Sequence, residues 1–280
     1  MTASPRRWLI TGVSSGLGRA IAECALSRGD IVVGTLRKRE QFEAFAALAP
    51  GRAIPLQLDV TDDAAAGPVV VDAIAQAGGL DILVNNAGYA LMGLQEDIGL
   101  DEARREIETN VLGVLKMAQA VLPHFRAQGH GRIINIASVA GVIGFPMNGL
   151  YCASKFAVLG LSESLAKEAA GFGVKVTSVE PGGFRTKFAA GSLAFPAKVA
   201  PHNAAAVEAS KTRMETFAKT AQNDPAKGAA VIVALADLDE PPAHLALGAD
   251  AYAMITAALQ ARLAEYERFK EFASGTAYDG

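Results

Sequence analysis

The sequence predicts an α/β fold, a doubly wound and mostly parallel sheet of seven strands flanked by helices. Three observations carry that reading. Short runs of β-branched and aliphatic residues alternate, from the N-terminus onward, with longer stretches of helical periodicity. A glycine-rich turn, Thr11-Gly12-Val13-Ser14-Ser15-Gly16-Leu17-Gly18, joins the first such run to the first helical stretch. Of the 280 residues 51% are hydrophobic but only 6% aromatic, a balance that suits helices packed closely on a sheet.

In order, residues 8–11 read as the first strand and 16–28 as a helix that stops at Gly29. Strands follow at 31–36, 53–58, 81–84, 132–136 and 174–179, separated by helices at 62–77, 101–127 and 152–170. Residues 184–223 hold Gly, Pro, Phe, Lys and Ala without a strand-like run and are expected to form an insertion over the active site. A helix at 225–235, a seventh strand at 244–247 and a final helix at 250–272 complete the chain. A chain of this length can bury one large core, and no linker or repeat divides it, so residues 1–280 are expected to form a single domain.

Charge and composition narrow the partners. The net charge of −3 leaves no broad cationic surface to release counterions from a nucleic acid, so none is expected as a partner. Cys24 and Cys152 are too few for a disulfide scaffold and fit a reducing compartment, with Cys152 read as a small, partly buried thiol. The four histidines lack metal-ligand spacing, and no metal is expected. Arg6-Arg7 precedes an apolar run too short for an export signal, and nothing approaches the ~18 apolar residues of a membrane span. A soluble cytoplasmic protein without a membrane partner is the expectation.

The glycine-rich turn stands where dinucleotide folds bring the backbone toward a pyrophosphate. Gly12, Gly16 and Gly18 leave room for that approach, and the N–H groups and dipole of the helix start, at Ser15, Gly16 and Leu17, favour an anion. The spacing is TGxxxGxG, not GxGxxG. Where NAD-binding folds place Asp or Glu, after the second strand, this chain has Leu36 followed by Arg37-Lys38-Arg39. No carboxylate repels a 2′-phosphate there and cations attract one, which favours NADP(H), with Arg37 the candidate partner. Lys38 and Arg39 read as solvating a surface helix.

Tyr151 and Lys155 are spaced i, i+4 and so share one helix face. A tyrosine with an ordinary pKa of ~10 is a poor base near neutrality, but an adjacent ammonium and a cationic nicotinamide would stabilise its phenolate. Ser138 closes the fifth strand, at the carboxyl edge where open α/β sheets bind ligands. Asn85-Asn86-Ala87-Gly88 follows the fourth. Asn110 interrupts an otherwise apolar helical stretch; either it marks a kink, or it anchors a water in a proton relay to Lys155.

Taken in this order, the TGxxxGxG turn, Asn-Asn-Ala-Gly, Asn110, Ser138, Tyr151 with Lys155, and Pro181-Gly182 resemble the classical short-chain dehydrogenase/reductase family over residues 8 to about 186. Leu36-Arg37 and Pro181 to Thr186 are similar to the 17β-hydroxysteroid and retinol dehydrogenase branch. The resemblance implies a Rossmann-type fold and an NADP(H)-dependent enzyme that interconverts a carbonyl and a secondary alcohol by hydride transfer. It implies that Tyr151 donates or accepts the proton, that Ser138 orients and polarises the substrate, that Lys155 holds the ribose and lowers the tyrosine pKa, and that Asn110 completes the relay. It assigns Ser14 to the cofactor phosphate, Asp59 and Val60 to the adenine, and Asn86, Ala87 and Gly88 to the cofactor cleft. Pro181, Gly182, Phe184 and Thr186 would hold the nicotinamide, with Phe184 in place of the usual small aliphatic residue. A homodimer or homotetramer through the helices at 101–127 and 152–170 is the family's pattern.

Val142-Ile143-Gly144-Phe145-Pro146-Met147, with Phe184, Phe188, Leu193 and Phe195, would line an apolar pocket for a hydrophobic substrate or else pack the insertion. Two other functions stay open: a catalytically silent NADP(H)-binding regulator, whose usual sign would be a damaged Ser/Tyr/Lys set, and a different reaction on the same fold, such as epimerisation or dehydration.

Overall fold

Trp8 and Ile10 face one side of strand β1 (Arg7–Ile10) and Leu9 the other, and each side is buried under its own layer of helices. The computed structural model describes residues 4–186 and 191–278. The same two-residue alternation runs through β2 (Ile31–Leu36), β4 (Ile82–Asn85) and β6 (Gly131–Ile136), where Val32, Ile82 and Ile134 join Trp8 while Val33, Leu83 and Ile133 join Leu9. Strands buried on both faces read as continuous apolar runs, which is why the sequence marks them so clearly.

With β3 (Ala53–Gln57), β7 (Val174–Pro181) and β9 (His244–Leu247) these strands form a seven-stranded sheet in the order β3-β2-β1-β4-β6-β7-β9, every neighbouring pair parallel. Helices α1 (Gly16–Ser27), α2 (Phe42–Ala46) and the later helix Pro225–Ala234 cover one face. Helices α3 (Ala66–Ala77), α5 (Gly113–Gln128) and α6 (Gly149–Ala169) cover the other. This is the predicted Rossmann-like architecture. Among the described residues no helix is long and apolar enough to cross a membrane.

The elements differ from the sequence reading in several places, among them the unpredicted short helix α2 and a final helix that breaks at Phe269 into Ala249–Arg268 and Lys270–Ser274. Helix α3 begins at Ala66 because Asp62 bonds the Ala64 N–H at 2.9 Å and holds a turn first. The single helix expected at 101–127 is two, α4 (Leu100–Ile107) and α5, joined by a π-helical turn over Glu108–Leu112 that contains Asn110. Two short strands went unpredicted: β5 (Ala90–Leu91) and β8 (Leu193–Ala194) pair in parallel outside the main sheet. In the expected insertion, α7 (Ala204–Thr220) is a 17-residue helix where no element is expected from sequence. Phe188 lies outside the described residues.

Candidate active site

The chain builds β1, β2 and β3 toward one edge of the sheet and β4, β6, β7 and β9 toward the other, so the direction of winding reverses between β1 and β4. The cleft that such a reversal opens, beyond the carboxyl ends of the strands, is where doubly wound folds bind ligands. The glycine turn leaves β1 there, Asn86 follows β4, Ser138 follows β6 and Pro181 ends β7.

The two sides of the cleft are tied by hydrogen bonds. Thr11 Oγ1 accepts the N–H groups of Asn86 and Ala87 at 2.9 and 3.0 Å, and Asn86 Nδ2 donates to the carbonyls of Thr11 and Gly12 at 2.9 and 3.0 Å. Gly12 and Gly16 adopt φ of 73° and 64°, the left-handed region that favours glycine. Gly18 is glycine for a different reason: a Cβ there would sit 2.2 Å from Asn86 Nδ2 and 2.6 Å from the Gly12 carbonyl oxygen. The close approach at Gly18 is therefore to the chain's own brace. Thr11 was read only as part of the turn, and its hydroxyl is the hinge of that brace.

The start of α1 is suited to an anion. Ser15 caps it with no side-chain bond, its first turn holds no acid, and the Ser14 and Ser15 side chains are exposed and unpartnered among the described residues. At the end of β2, Lys38 pairs with Glu40 and Arg39 with Gln57, whereas the exposed Arg37 guanidinium has no ion pair or hydrogen bond among the described residues. Burial raises the Asp59 carboxyl, but the Thr61 hydrogen bonds, Arg37 and Lys116 outweigh it and leave Asp59 below its usual range. Val60 packs under Gly113. These features fit a dinucleotide: free donors at a helix start, a glycine-lined turn and an uncommitted cation.

Helix α6 begins at Gly149, so Tyr151 and Lys155 stand in its first two turns. Lys155 is 6% exposed; its Nζ donates to the Ile136 carbonyl at 2.8 Å and lies 5.7 Å from the Tyr151 ring centre. Ser138, half-buried, accepts the Ala140 N–H at 3.1 Å and hydrogen-bonds the Tyr151 side chain. Asn110 is buried, and its amide is committed: Oδ1 accepts the Tyr89 N–H at 3.0 Å, while Nδ2 donates to the Tyr89 carbonyl at 2.8 Å and to Ser154 Oγ at 3.0 Å. Its side chain thus fastens the segment after Asn-Asn-Ala-Gly to α6, and a Cβ at Gly88 would press on Asn110 Oδ1 at 2.9 Å.

Electrostatics refine one expectation. Burial pushes the Tyr151 phenol up to about 12, against the downward pull of the Ser138 bond and with Glu106 adding to the rise. Burial brings the Lys155 ammonium down to about 8, with Glu106 working the other way. In the chain without cofactor, then, Lys155 does not bring the phenol into the neutral range, because desolvation outweighs it.

Residues 181–186, the expected nicotinamide segment, are clamped through Gly183. Asp250 Oδ2 accepts the Gly183 N–H at 2.7 Å, and Asn223 Nδ2 bonds both the Gly183 carbonyl and Asp250 Oδ1, at 2.9 and 2.8 Å. Neither residue was picked out from sequence. The Phe184 ring turns into the core against Gly228, so it fills space beneath the segment. Thr186 approaches the glycine turn, 3.8 Å from where a Gly16 Cβ would be.

The profile of the short chain dehydrogenase family matches residues 6–196. The chain belongs to the short-chain dehydrogenases. A relative from Botryotinia fuckeliana, Oxidoreductase BOA17, is 37% identical over 271 residues, covering 96% of this chain and 98% of that one. Human 17-beta-hydroxysteroid dehydrogenase type 1 is 41% identical over 203 residues, 68% of this chain and 60% of that protein. The crystal structure of a short-chain dehydrogenase from Streptomyces avermitilis superposes with a TM-score of 0.89 at 39% identity, covering 98% of this chain and 100% of that one. Membership makes this short-chain dehydrogenase an oxidoreductase of the carbonyl/alcohol couple, in a family whose solved neighbours bind NAD(P)(H).

Proposed function

We propose that this short-chain dehydrogenase is an NADP(H)-dependent oxidoreductase that interconverts a hydrophobic carbonyl compound and its secondary alcohol, with Tyr151 as the proton-transfer residue. The observation that carries the reading is the Ser138–Tyr151–Lys155 cluster beside the glycine turn at the carboxyl edge of the sheet. When bound, the nicotinamide supplies or takes the hydride. The protein's residues do the rest. Ser138 polarises the carbonyl oxygen, and Tyr151, a neutral phenol in the free chain, is in the form that gives it a proton. Lys155 holds the ribose from the Ile136 side of the cleft, and Asn110 keeps α6 and the segment after β4 in register.

The unpaired Arg37, with Ser14 across the turn, supports the 2′-phosphate form of the cofactor. Gly12, Ser15, Gly16, Leu17 and Gly18 receive the pyrophosphate, Asp59 and Val60 the adenine, Asn86 to Gly88 the cleft wall, and Pro181, Gly182, Phe184 and Thr186 the nicotinamide. Phe184 does so through its backbone, since its ring is spent on the core. Phe145, Met147, Leu193 and Phe195, all partly exposed, support an apolar substrate, whereas Val142 is packed into the core against Ala251 and Ile255. The chain acts as one cytoplasmic domain, residues 184–223 covering the site, in a homo-oligomer.

A panel of carbonyls and alcohols with NADPH and NADH, run on the wild type and Tyr151→Phe, tests this. NADPH-dependent turnover that falls about 100-fold or more in the variant, with NADPH binding intact, is the expected result. Retained turnover in Tyr151→Phe overturns the proton-transfer assignment, and equal use of NADH overturns the Arg37 assignment. NADPH binding without turnover on any member of the panel selects the regulatory reading.

A further inference from the structure

Residues 181–186 are gripped by a bracket of two side chains that the reaction as proposed does not use. Asp250 opens the helix Ala249–Arg268, directly after β9 and Gly248. Its Oδ2 accepts the Gly183 N–H at 2.7 Å, and its Oδ1 accepts Asn223 Nδ2 at 2.8 Å. Asn223 Nδ2 also donates to the Gly183 carbonyl at 2.9 Å, and the Asn223 backbone N–H reaches the same oxygen at 3.1 Å. Both polar groups of the Gly183 main chain are therefore committed to these two residues. The Arg185 N–H closes the bracket on the Asn223 carbonyl at 3.0 Å, so Asn223 lies beside Phe184 as a one-residue parallel bridge. Two glycines admit the arrangement: a Cβ at Gly182 would lie 2.4 Å from Asp250 Oδ2, and one at Gly248 would lie 2.6 Å from Asp250 Oδ1.

We propose that Asn223 and Asp250 are positioning residues for the nicotinamide half of the cofactor, fixing the Gly183 peptide so that residues 181–186 keep the shape that receives the ring. The premise is the assignment of that segment to the nicotinamide in the reading above. Neither residue hydrogen-bonds the glycine turn, Arg37 or Asp59 among the described residues, so the bracket acts on one half of the dinucleotide and not the other. Burial disfavours the Asp250 carboxylate, but the Gly183 N–H, the Asn223 amide and the N–H groups of Ala251 and Asp250 itself outweigh it and hold the group below its usual range. Its bonds are thus charge-assisted, the stronger kind. The other charged side chains on the joined segments are engaged elsewhere. Arg185 Nε donates to the Ala221 carbonyl at 3.2 Å, Asp224 Oδ1 accepts the Ala226 N–H at 2.8 Å, and Glu180 and His244 bond each other at 3.0 Å.

Calorimetric binding of NADP+ and of adenosine 2′,5′-bisphosphate, which lacks the nicotinamide, separates positioning from general damage in the full chain. Asn223→Ala removes both side-chain bonds and keeps the backbone bridge. It should weaken NADP+ about tenfold and leave the bisphosphate unchanged. Asn223→Asp sets a second carboxylate against Asp250, and carboxyl groups that close share a proton. Its ratio of NADP+ to bisphosphate affinity should fall at about pH 8 and recover at about pH 5, where the shared proton restores a donor. The 2′-phosphate is common to both ligands, so its own titration cancels in the ratio. Equal losses for both ligands, or a ratio that moves in neither variant, overturn the proposal. If neither variant folds, the wild-type Gly183 amide decides by hydrogen exchange: slowing by NADP+ beyond that by the bisphosphate supports the proposal, and equal slowing overturns it. A wild type that prefers NAD+ sinks the Arg37 assignment alone, and NAD+ against adenosine 5′-monophosphate then gives the same ratio. A wild type that binds no dinucleotide sinks the cofactor reading and the proposal with it.

Discussion

The floor of the cleft and residues 191–203, part of the segment proposed above to cover it, are held in different ways. On the floor, the glycine turn, Asn86, Asn110 and Ser154 are locked by neutral hydrogen bonds between buried or half-buried partners, with glycines admitted where a side chain would collide. Residues 191–203 are held, besides the β5–β8 pairing, by acids of the stretch just before and within α4. Asp97 accepts the Ala200 N–H at 2.9 Å, Glu102 accepts the Ala197 N–H at 2.9 Å, and Asn203 donates to Glu96 and Asp97 at 2.8 and 3.0 Å. Neutral, enclosed networks resist pH and salt, whereas carboxylate contacts that are only partly buried are weakened by both. Under the proposed function the difference makes a rigid cofactor floor and a conditionally attached cover.

Gly18→Ala attacks the floor and should have the largest effect among the substitutions that leave the proton donor in place. Its methyl group has no space beside Asn86, so the brace must shift, at a cost of about 1–3 kcal/mol in stability, measured by chemical denaturation. NADPH affinity, read by fluorescence titration, should drop along with it. Asn86→Ala combined with Gly18→Ala sharpens the point: the double variant should lose less than the sum of the singles, because the clash with the Asn86 side chain is gone and only that with the Gly12 carbonyl remains. Strict additivity would show that Gly18 answers to the ligand instead of to the brace.

Arg37→Ser probes the outer rim of the same floor, where no hydrogen bond or ion pair holds the guanidinium among the described residues. A hydrogen bond to a charged group is worth about 1.5–3 kcal/mol, so NADPH should bind roughly ten- to hundredfold more weakly while NADH is unaffected. Equal losses for both cofactors would make Arg37 a structural residue and leave the phosphate to another partner.

The contrast between floor and cover also explains what the sequence disclosed. Doubly buried parallel strands and the glycine turn announce themselves locally, through apolar runs and through residues that only one backbone conformation tolerates. The cover does not. Helix α7 has few buried positions, Val207 and Ser210, so its apolar periodicity is faint, and β5 and β8 are two residues each, too short to leave a pattern. Ser138, Tyr151 and Lys155 were legible because spacing and strand ends place them. Glu106, Asn223 and Asp250 were not, since each acts through a contact distant in sequence: Glu106 on the Leu91 N–H of β5, Asn223 and Asp250 on the Gly183 backbone. The same blindness covers Phe184, whose ring goes to Gly228.

The smallest effects are expected at the cover's attachment. Bonds from Asn203 and His202 hold the Glu96 carboxyl below its usual range, despite some desolvation and the nearby Asp97. A carboxyl with a depressed folded value contributes attachment that is complete above the ordinary glutamate range and lost as pH falls through the folded value. Limited proteolysis between residues 191 and 203 should therefore quicken in acid while the glycine turn stays protected. Asp97→Asn should mimic that loosening at neutral pH, because its amide would face the Asn203 amide where a carboxylate oxygen now accepts. Loss of one such edge contact should change the nicking rate several-fold with almost no change in global stability. A fall in global stability as large as that of Gly18→Ala would erase the distinction and make the cover part of the core.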